Sequence, residues 1–227
     1  MIRPMAPTLG VVTIGQAPRD DIAALFAAHA PAGTRVILRG ALDGLSDAEV
    51  DRLQPENGGD TLYTRLRGGR DVKISKKAVI TRSPAALDRL RGDGCDVLVY
   101  ACTGEFPPMP GDENVLFPSR VLNGLATGLL PRGRLGLLIP LAEQGEKLAS
   151  KWARPGLDVV VEALAPSAGQ DEAAAAAHRL AAKKPDLVAM DCMSYTPLTK
   201  EQVKPALGVP ALLAITATGR VLRELLE

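Results

Sequence analysis

The sequence predicts an α/β chain of two pseudo-symmetric lobes, each a mostly parallel sheet flanked by helices, with a cleft between them. Three observations carry that expectation. Short apolar runs alternate with helix-forming stretches along most of the chain, the pattern of βαβ units. The run Leu9-Gly-Val-Val-Thr-Ile14 and its following helix are echoed by Leu135-Gly-Leu-Leu-Ile-Pro140 and another helix. Each half then continues to an Asp-led apolar run that stops at a cysteine, Asp96 to Cys102 and Asp186 to Cys192. Residues 1–113 make the first lobe, with 207–227 returning to it, and residues 114–206 make the second.

Taken in order, Thr8 to Ile14 is a continuous apolar strand and Gly15-Gln16-Ala17 turns out of it. Pro18 suits a first helical turn, and Asp20 and Asp21 suit a positive helix N-terminus, so a helix runs to about Ala30, before Pro31. Arg35 to Leu38 is the second strand. Ser46-Asp-Ala-Glu49 is a capping-box pattern that opens a short helix ending before Pro55. After the loop Glu56 to Asp60, the segments Thr61 to Arg67 and Asp71 to Ser75 form a hairpin around Gly68-Gly69-Arg70. Ser83-Pro84 opens a helix to about Arg91, Gly92 to Gly94 breaks it, and the strand to Cys102 follows.

The proline-rich Phe106 to Asp112 cannot be regular helix or central strand. It reads as a lobe connector or active-site loop. Val115 to Phe117 is a short strand, Ser119 to Leu130 a helix, and Arg134 to Ile139 a buried strand. A helix from about Glu143 to Trp152 and a strand from Asp158 to Leu164 come next. Asp171 to Lys183 is alanine-rich and acidic at its start, a strong helix. Strand Asp186 to Asp191, a helix around Thr199 to Lys204, strand Ala211 to Ile215 and helix Thr218 to Leu226 complete the chain.

With 227 residues, 46% of them hydrophobic, the chain buries a real core. A formal net charge of +1 gives no imbalance that points to nucleic acid or a membrane surface. No apolar run approaches the roughly 20 residues of a membrane span, and the start, Met1 to Pro7, lacks a signal-peptide core. A cytoplasmic protein with small-molecule partners is expected, with homo-oligomerisation left open. Three cysteines, Cys95, Cys102 and Cys192, are too few for a disulfide framework. The glycines show no GxGxxG or Walker spacing, and no cofactor or metal is implied.

Cys102 and Cys192 at strand ends carry the chemistry, since parallel sheets bind ligands at the carboxyl ends of their strands. A thiol at such an end meets backbone amides that favour thiolate, and even an unperturbed thiol is about a few per cent ionised at neutral pH. Two such thiols can remove a proton from one face of a carbon acid and return one to the other. Thr103, Gly104, Ser194 and Tyr195 supply hydroxyls and amides for a carboxylate, and Gln16 and Arg19 add a side-chain amide and a guanidinium. Each feature has a plainer reading. Free cysteine is commonly a core residue, Cys95 above all. His29 and His178 read as surface positions, Arg19 as a solvated helix-start residue, Glu105 and Glu143 as exposed carboxylates, and Trp152 as helix packing.

Thr13-Ile-Gly-Gln-Ala-Pro-Arg-Asp20, the hairpin region, Ala101-Cys-Thr-Gly104, Phe117-Pro-Ser-Arg120 and Asp191-Cys192 together resemble the AroM protein family. That family is similar in turn to the aspartate/glutamate racemase superfamily. The resemblance implies two pseudo-symmetric lobes and cofactor-independent thiol chemistry. The superfamily's second motif, Gly-Cys-Thr-His-Tyr-Pro-Leu, is matched by Asp191-Cys-Met-Ser-Tyr-Thr-Pro-Leu198, with Asp191, Met193 and Ser194 replacing Gly, Thr and His and one residue inserted. Both cysteines carry over; the Thr and His do not. The resemblance implies a racemase, epimerase or isomerase using both thiols on a small carboxylate. A single-thiol isomerase or decarboxylase of the same fold and a non-catalytic binding protein are the alternatives.

Overall fold

The computed structural model describes residues 6–227; the first five residues, part of the stretch read above for a signal peptide, lie outside them. The described chain falls into two compact units, one of residues up to Pro118 together with Thr218–Glu227, the other Ser119–Ala217. The first unit contains β1 (Thr8–Thr13), α1 (Asp20–His29), β2 (Arg35–Gly40), α2 (Asp47–Asp51), β3 (Thr61–Arg65), β4 (Asp71–Ser75), α3 (Lys76–Gly92), β5 (Val97–Tyr100) and β6 (Val115–Leu116). Helix α4 (Pro118–Leu129) leads into the second, which holds β7 (Gly133–Ile139), α5 (Gly145–Trp152), β8 (Leu157–Ala163), α6 (Gln170–Ala181), β9 (Leu187–Met190), α7 (Pro197–Leu207) and β10 (Ala211–Leu213); α8 (Ala214–Leu226) closes the chain. Among the described residues no helix is long and apolar enough to cross a membrane.

Each unit is built on a four-stranded parallel sheet, ordered β2-β1-β5-β6 in the first and β10-β9-β7-β8 in the second. Read from the other edge, the second order is β8-β7-β9-β10, so both sheets place their first strand inside, their second at the edge and their third and fourth beyond. The faint echo in the sequence is therefore a repeated topology. Burial on both faces explains why β1 and most of β7 are continuous apolar runs rather than alternating ones.

The same local device starts each sheet. Asp96 accepts the Thr8 N–H through its carboxylate (2.7 Å) and donates its own N–H to the Thr8 carbonyl (2.9 Å). Asp186 does both for Arg134, at 2.8 Å each. Two residues along the first strand stands a glycine in each case, and a side chain there has no room. A Cβ on Gly10 would lie 2.5 Å from Leu98 and 2.9 Å from the Cys95 sulfur, and one on Gly136 would meet Pro185 at 3.0 Å and Val188 at 3.2 Å. Cys95 is thus the packing counterpart of Pro185, and burial pushes its thiol up from the ordinary value, with Asp93 adding to the effect.

Several elements differ from the sequence expectation. Helix α3 opens at Lys76 rather than Ser83, because Ser75 at the end of the hairpin accepts the Ala78 N–H and caps it. Ser83 lies inside the helix, donating to the Val79 carbonyl (2.7 Å), and Pro84 is carried within the helix. Helix α7 begins at Pro197, capped by Thr196 in a reciprocal pair with Thr199, and ends at Gly208 with φ 68°. Thr196 is the residue inserted relative to the superfamily motif, and it serves as the cap. Strand β10 is shorter than expected, and α8 follows it without a loop. His29 is half-buried rather than on the surface: its Nδ1 pairs with the Leu25 carbonyl, and a Cβ on Gly219 of α8 would lie 2.8 Å from its ring.

Gly10→Ala should cost about 2 kcal/mol, since the new methyl must displace two packed side chains beneath the sheet, read as a lower urea midpoint. At the edge strand β8, burial acts to raise the Glu162 carboxyl, but Lys183 and Arg179 outweigh it and hold the group below its ordinary value. A depressed carboxylate contributes stability above the unfolded value and loses it as pH falls through the folded one. Urea midpoints should therefore separate wild type from Glu162→Gln at about pH 6, and the gap should narrow towards about pH 3.

Candidate active site

In the first unit, β5 runs out at Tyr100, two residues short of the thiol. The Ala101 N–H still donates to the Val12 carbonyl (2.7 Å), but the Cys102 N–H turns back onto the Tyr100 carbonyl (2.6 Å), a three-residue turn that ends the ladder. The Gly104 N–H then points at the Cys102 Sγ, 3.3 Å away. Gly104 is kept small by its neighbours: a Cβ would sit 3.2 Å from Phe106 and 3.3 Å from Leu62 of β3. Tyr100 lies in the same buried cluster as Cys102. Its ring packs on Phe106 (4.8 Å) and Phe117 (5.4 Å), and its hydroxyl pairs with the Ser83 Oγ at 2.6 Å. Since Ser83 donates to Val79, Tyr100 donates to Ser83. Burial raises the Tyr100 hydroxyl far above the phenol range, the Ser83 bond opposes this, and negative charge on the Cys102 sulfur adds to it. The phenol stays neutral beside the sulfur.

The turn after β1, expected to offer donors to a carboxylate, is largely satisfied from within. Asp43 accepts the Ala17 N–H (2.8 Å) through Oδ1 and the Gly40 N–H (2.7 Å) through Oδ2. Gln16 donates its side-chain amide to the Leu45 carbonyl (2.8 Å), and Arg67 donates to the Ala17 carbonyl (2.8 Å). Arg19 is not a solvated residue: it is 5% exposed and forms a two-pronged pair with Asp21 (2.8 and 2.7 Å). Burial raises the Asp21 carboxyl, but its hydrogen bond and charge pairing with Arg19 leave it below the ordinary value. The β3–β4 hairpin closes this end of the sheet, with Leu62 beside Gly104 and Thr64 so near Gly15 that a Cβ there would lie 2.5 Å from its hydroxyl.

The second unit repeats the strand end with different side chains. Asp191 donates its N–H to the Leu138 carbonyl (2.8 Å), as Ala101 does in the first unit, and Cys192 follows. The Ser194 N–H points at the Cys192 Sγ (3.4 Å). In both units, then, the amide two residues beyond the cysteine is aimed at its sulfur, the placement that suits an anionic sulfur. Ser194 is half-buried. Tyr195 is fully buried and donates its hydroxyl to the Leu164 carbonyl (2.6 Å), which turns it into the unit's own interior.

Sequence reasoning missed the partners of Asp191. Its carboxylate, 0% exposed, accepts the Trp152 indole N–H (2.8 Å) and pairs with Lys151 Nζ (3.2 Å), whose side chain is 4% exposed. Trp152 is more than helix packing. The available signal was an acid closing an otherwise apolar buried strand, which demands a partner. Glu105, Glu143 and His178 are exposed, as expected. Among the described residues no group of three His, Cys, Asp or Glu side chains is gathered to hold a metal.

A family model described as AroM protein matches residues 9–226. No curated protein matches the sequence. Solved structures do match in fold. Arylmalonate decarboxylase is 17% identical, covering 97% of this chain and 92% of its own, with a TM-score of 0.63. Glutamate racemase from Francisella tularensis subsp. tularensis SCHU S4, solved with D-glutamate, is 13% identical over 98% of this chain and 82% of its own, TM-score 0.60. The maleate isomerase of Pseudomonas putida S16 is 13% identical over 94% and 90%, TM-score 0.61. At such identities the likeness shows the fold.

Asp43→Ala should release two backbone N–H groups from a charged acceptor and cost about 2 kcal/mol. A urea midpoint unchanged from wild type would mean that the turn does not depend on this carboxylate.

Proposed function

The chain belongs to the AroM protein family, and on that premise we propose that it is a cofactor-independent enzyme of the racemase, epimerase or isomerase type acting on a small carboxylate. One observation carries the proposal: two cysteines at equivalent strand ends, each with the amide of the second following residue directed at its sulfur (3.3 and 3.4 Å). The solved structures of the same fold add support. They are named for a decarboxylase, a racemase and an isomerase, and arylmalonate, glutamate and maleate are all small carboxylates.

In the proposed chemistry one sulfur begins as thiolate and the other as thiol. The thiolate takes a proton from the carbon beside the carboxylate, so a C–H bond breaks and an S–H bond forms. The electron pair is held as an enediolate, and the second thiol returns a proton to the opposite face. Thr103 and Ser194, next to the thiols, are the hydroxyls proposed to hold the carboxylate, while the Gly104 N–H serves the Cys102 sulfur. Gln16, Arg19 and Tyr195 are assigned a supporting part, because their polar groups already hold the turns around the site.

The two sulfurs have different surroundings, an aromatic cluster around Cys102 and a neighbouring ion pair at Cys192. That difference favours a second reading in which only one thiol transfers protons, as an isomerase or decarboxylase of this fold. Incubation in heavy water with a panel of small carboxylates separates these possibilities. Deuterium should enter beside the carboxylate of the true substrate, and Cys102→Ser and Cys192→Ser should each slow its entry by about 100-fold or more. Loss in only one variant supports the single-thiol enzyme. Exchange that neither variant disturbs would end the proposal of thiol catalysis, and carboxylate binding without exchange would leave a binding protein.

A further inference from the structure

The strand end that carries Cys192 holds a charge that the fold itself does not need. Asp96 and Asp186 begin equivalent strands, so Ala101 and Asp191, each five residues on, occupy equivalent positions. Both donate a backbone N–H to the first strand of their sheet, and Ala101 does so with a methyl side chain. At Asp191 the same backbone bond comes with a carboxylate taken wholly out of water, together with the Lys151 ammonium and the Trp152 indole N–H that compensate it. The Lys151 Nζ also lies over the Trp152 ring, 5.3 Å from its centroid. A buried ion pair is weak evidence for stability, because well-packed apolar groups in its place are often as stable or more so. Its position is the informative part: Asp191 is the residue immediately before Cys192.

We propose that Lys151 and Trp152 are positioning residues for Cys192: they hold the Asp191 carboxylate inside the second unit, fixing the strand end that presents the thiol and cancelling the negative charge beside it. Left alone, a carboxylate one residue from the sulfur opposes formation of a thiolate. Paired with Lys151, it becomes a rigid anchor with no net charge. The other charged groups on the neighbouring elements do not replace this balance. Glu146 and Lys147 on α5 and Glu201 and Lys204 on α7 are exposed, Lys200 on the first turn of α7 is half-buried, and Glu162 on β8 pairs with Arg179 and Lys183. The inference rests on the proposed function only in taking Cys192 as a working thiol, and its test reads thiol reactivity rather than turnover, so the two can fail separately.

Alkylation of the full chain by iodoacetamide at about neutral pH, followed by mass spectrometry, gives the rate at Cys192 with Cys102 as an internal reference. Lys151→Met should slow Cys192 by roughly tenfold relative to Cys102, the change in thiolate population that one pKa unit makes below the pKa. Asp191→Asn keeps an acceptor for the indole but leaves the ammonium uncompensated, and should speed Cys192. The double variant should return to within about twofold of wild type, since one charge of each sign has been removed. Loosening of the strand end alone would move both single variants in the same direction, so equal signs, or no change, would overturn the proposal. Should Lys151→Met fail to fold, as judged by circular dichroism, Asp191→Asn decides by itself: acceleration supports the proposal, and slowing or no effect overturns it.

Discussion

An aspartate at the head of the third strand of each sheet, clasping the backbone of the first, is the constraint on which the rest of the site depends. In a parallel pair every side chain changes face if the register slips by one residue. The carboxylates of Asp96 and Asp186 prevent that slip by taking the N–H of Thr8 and Arg134 while their own N–H groups bond back. From there the count is the same in both units. Gly10 and Gly136 pass beneath close neighbours, Ala101 and Asp191 make the last bond to the first strand, and a cysteine follows.

Beyond that shared frame the two strand ends are finished differently. In the first unit the polar groups of the surrounding turns are satisfied within the chain, by Asp43 on the amides of Ala17 after β1 and of Gly40 at the end of β2, by Arg19 on Asp21 and by Arg67 on Ala17. The thiol belongs to the same buried cluster as a neutral phenol that packs on two further aromatic rings. In the second unit the thiol follows an ion pair held in the interior. Local charge and burial, rather than the thiol itself, decide which form a cysteine takes, and these differ between the two strand ends.

The β3–β4 hairpin, a departure from strand–helix alternation, has a structural task at the same end of the first sheet. Leu62 covers Gly104 and Thr64 covers Gly15, so two glycines are required by its approach rather than by any turn of their own. The hairpin also delivers Ser75 to cap α3, which is why that helix starts a full seven residues before the Ser-Pro signal read from the sequence.

Local pattern was enough for the sheets, for most helices, for the pairing of Cys102 with Cys192 as equivalent positions and for the family, because apolar periodicity, capping residues and short motifs are written along the chain. It was not enough wherever a side chain answers to a partner distant in sequence. Arg19 looked solvated until the hairpin enclosed it, with the Arg65 carbonyl of β3 accepting from its guanidinium (3.5 Å); Gln16 and Tyr195 looked free to bind ligand until Leu45 and Leu164 supplied their acceptors. Lys151 and Trp152 gave no signal, since a helix-end lysine and a lone tryptophan acquire meaning only when folding brings the Asp191 carboxylate, forty residues on from Lys151, against them. Composition and spacing set what the backbone does, whereas burial creates the need for a partner, and only the tertiary structure decides which residue meets it.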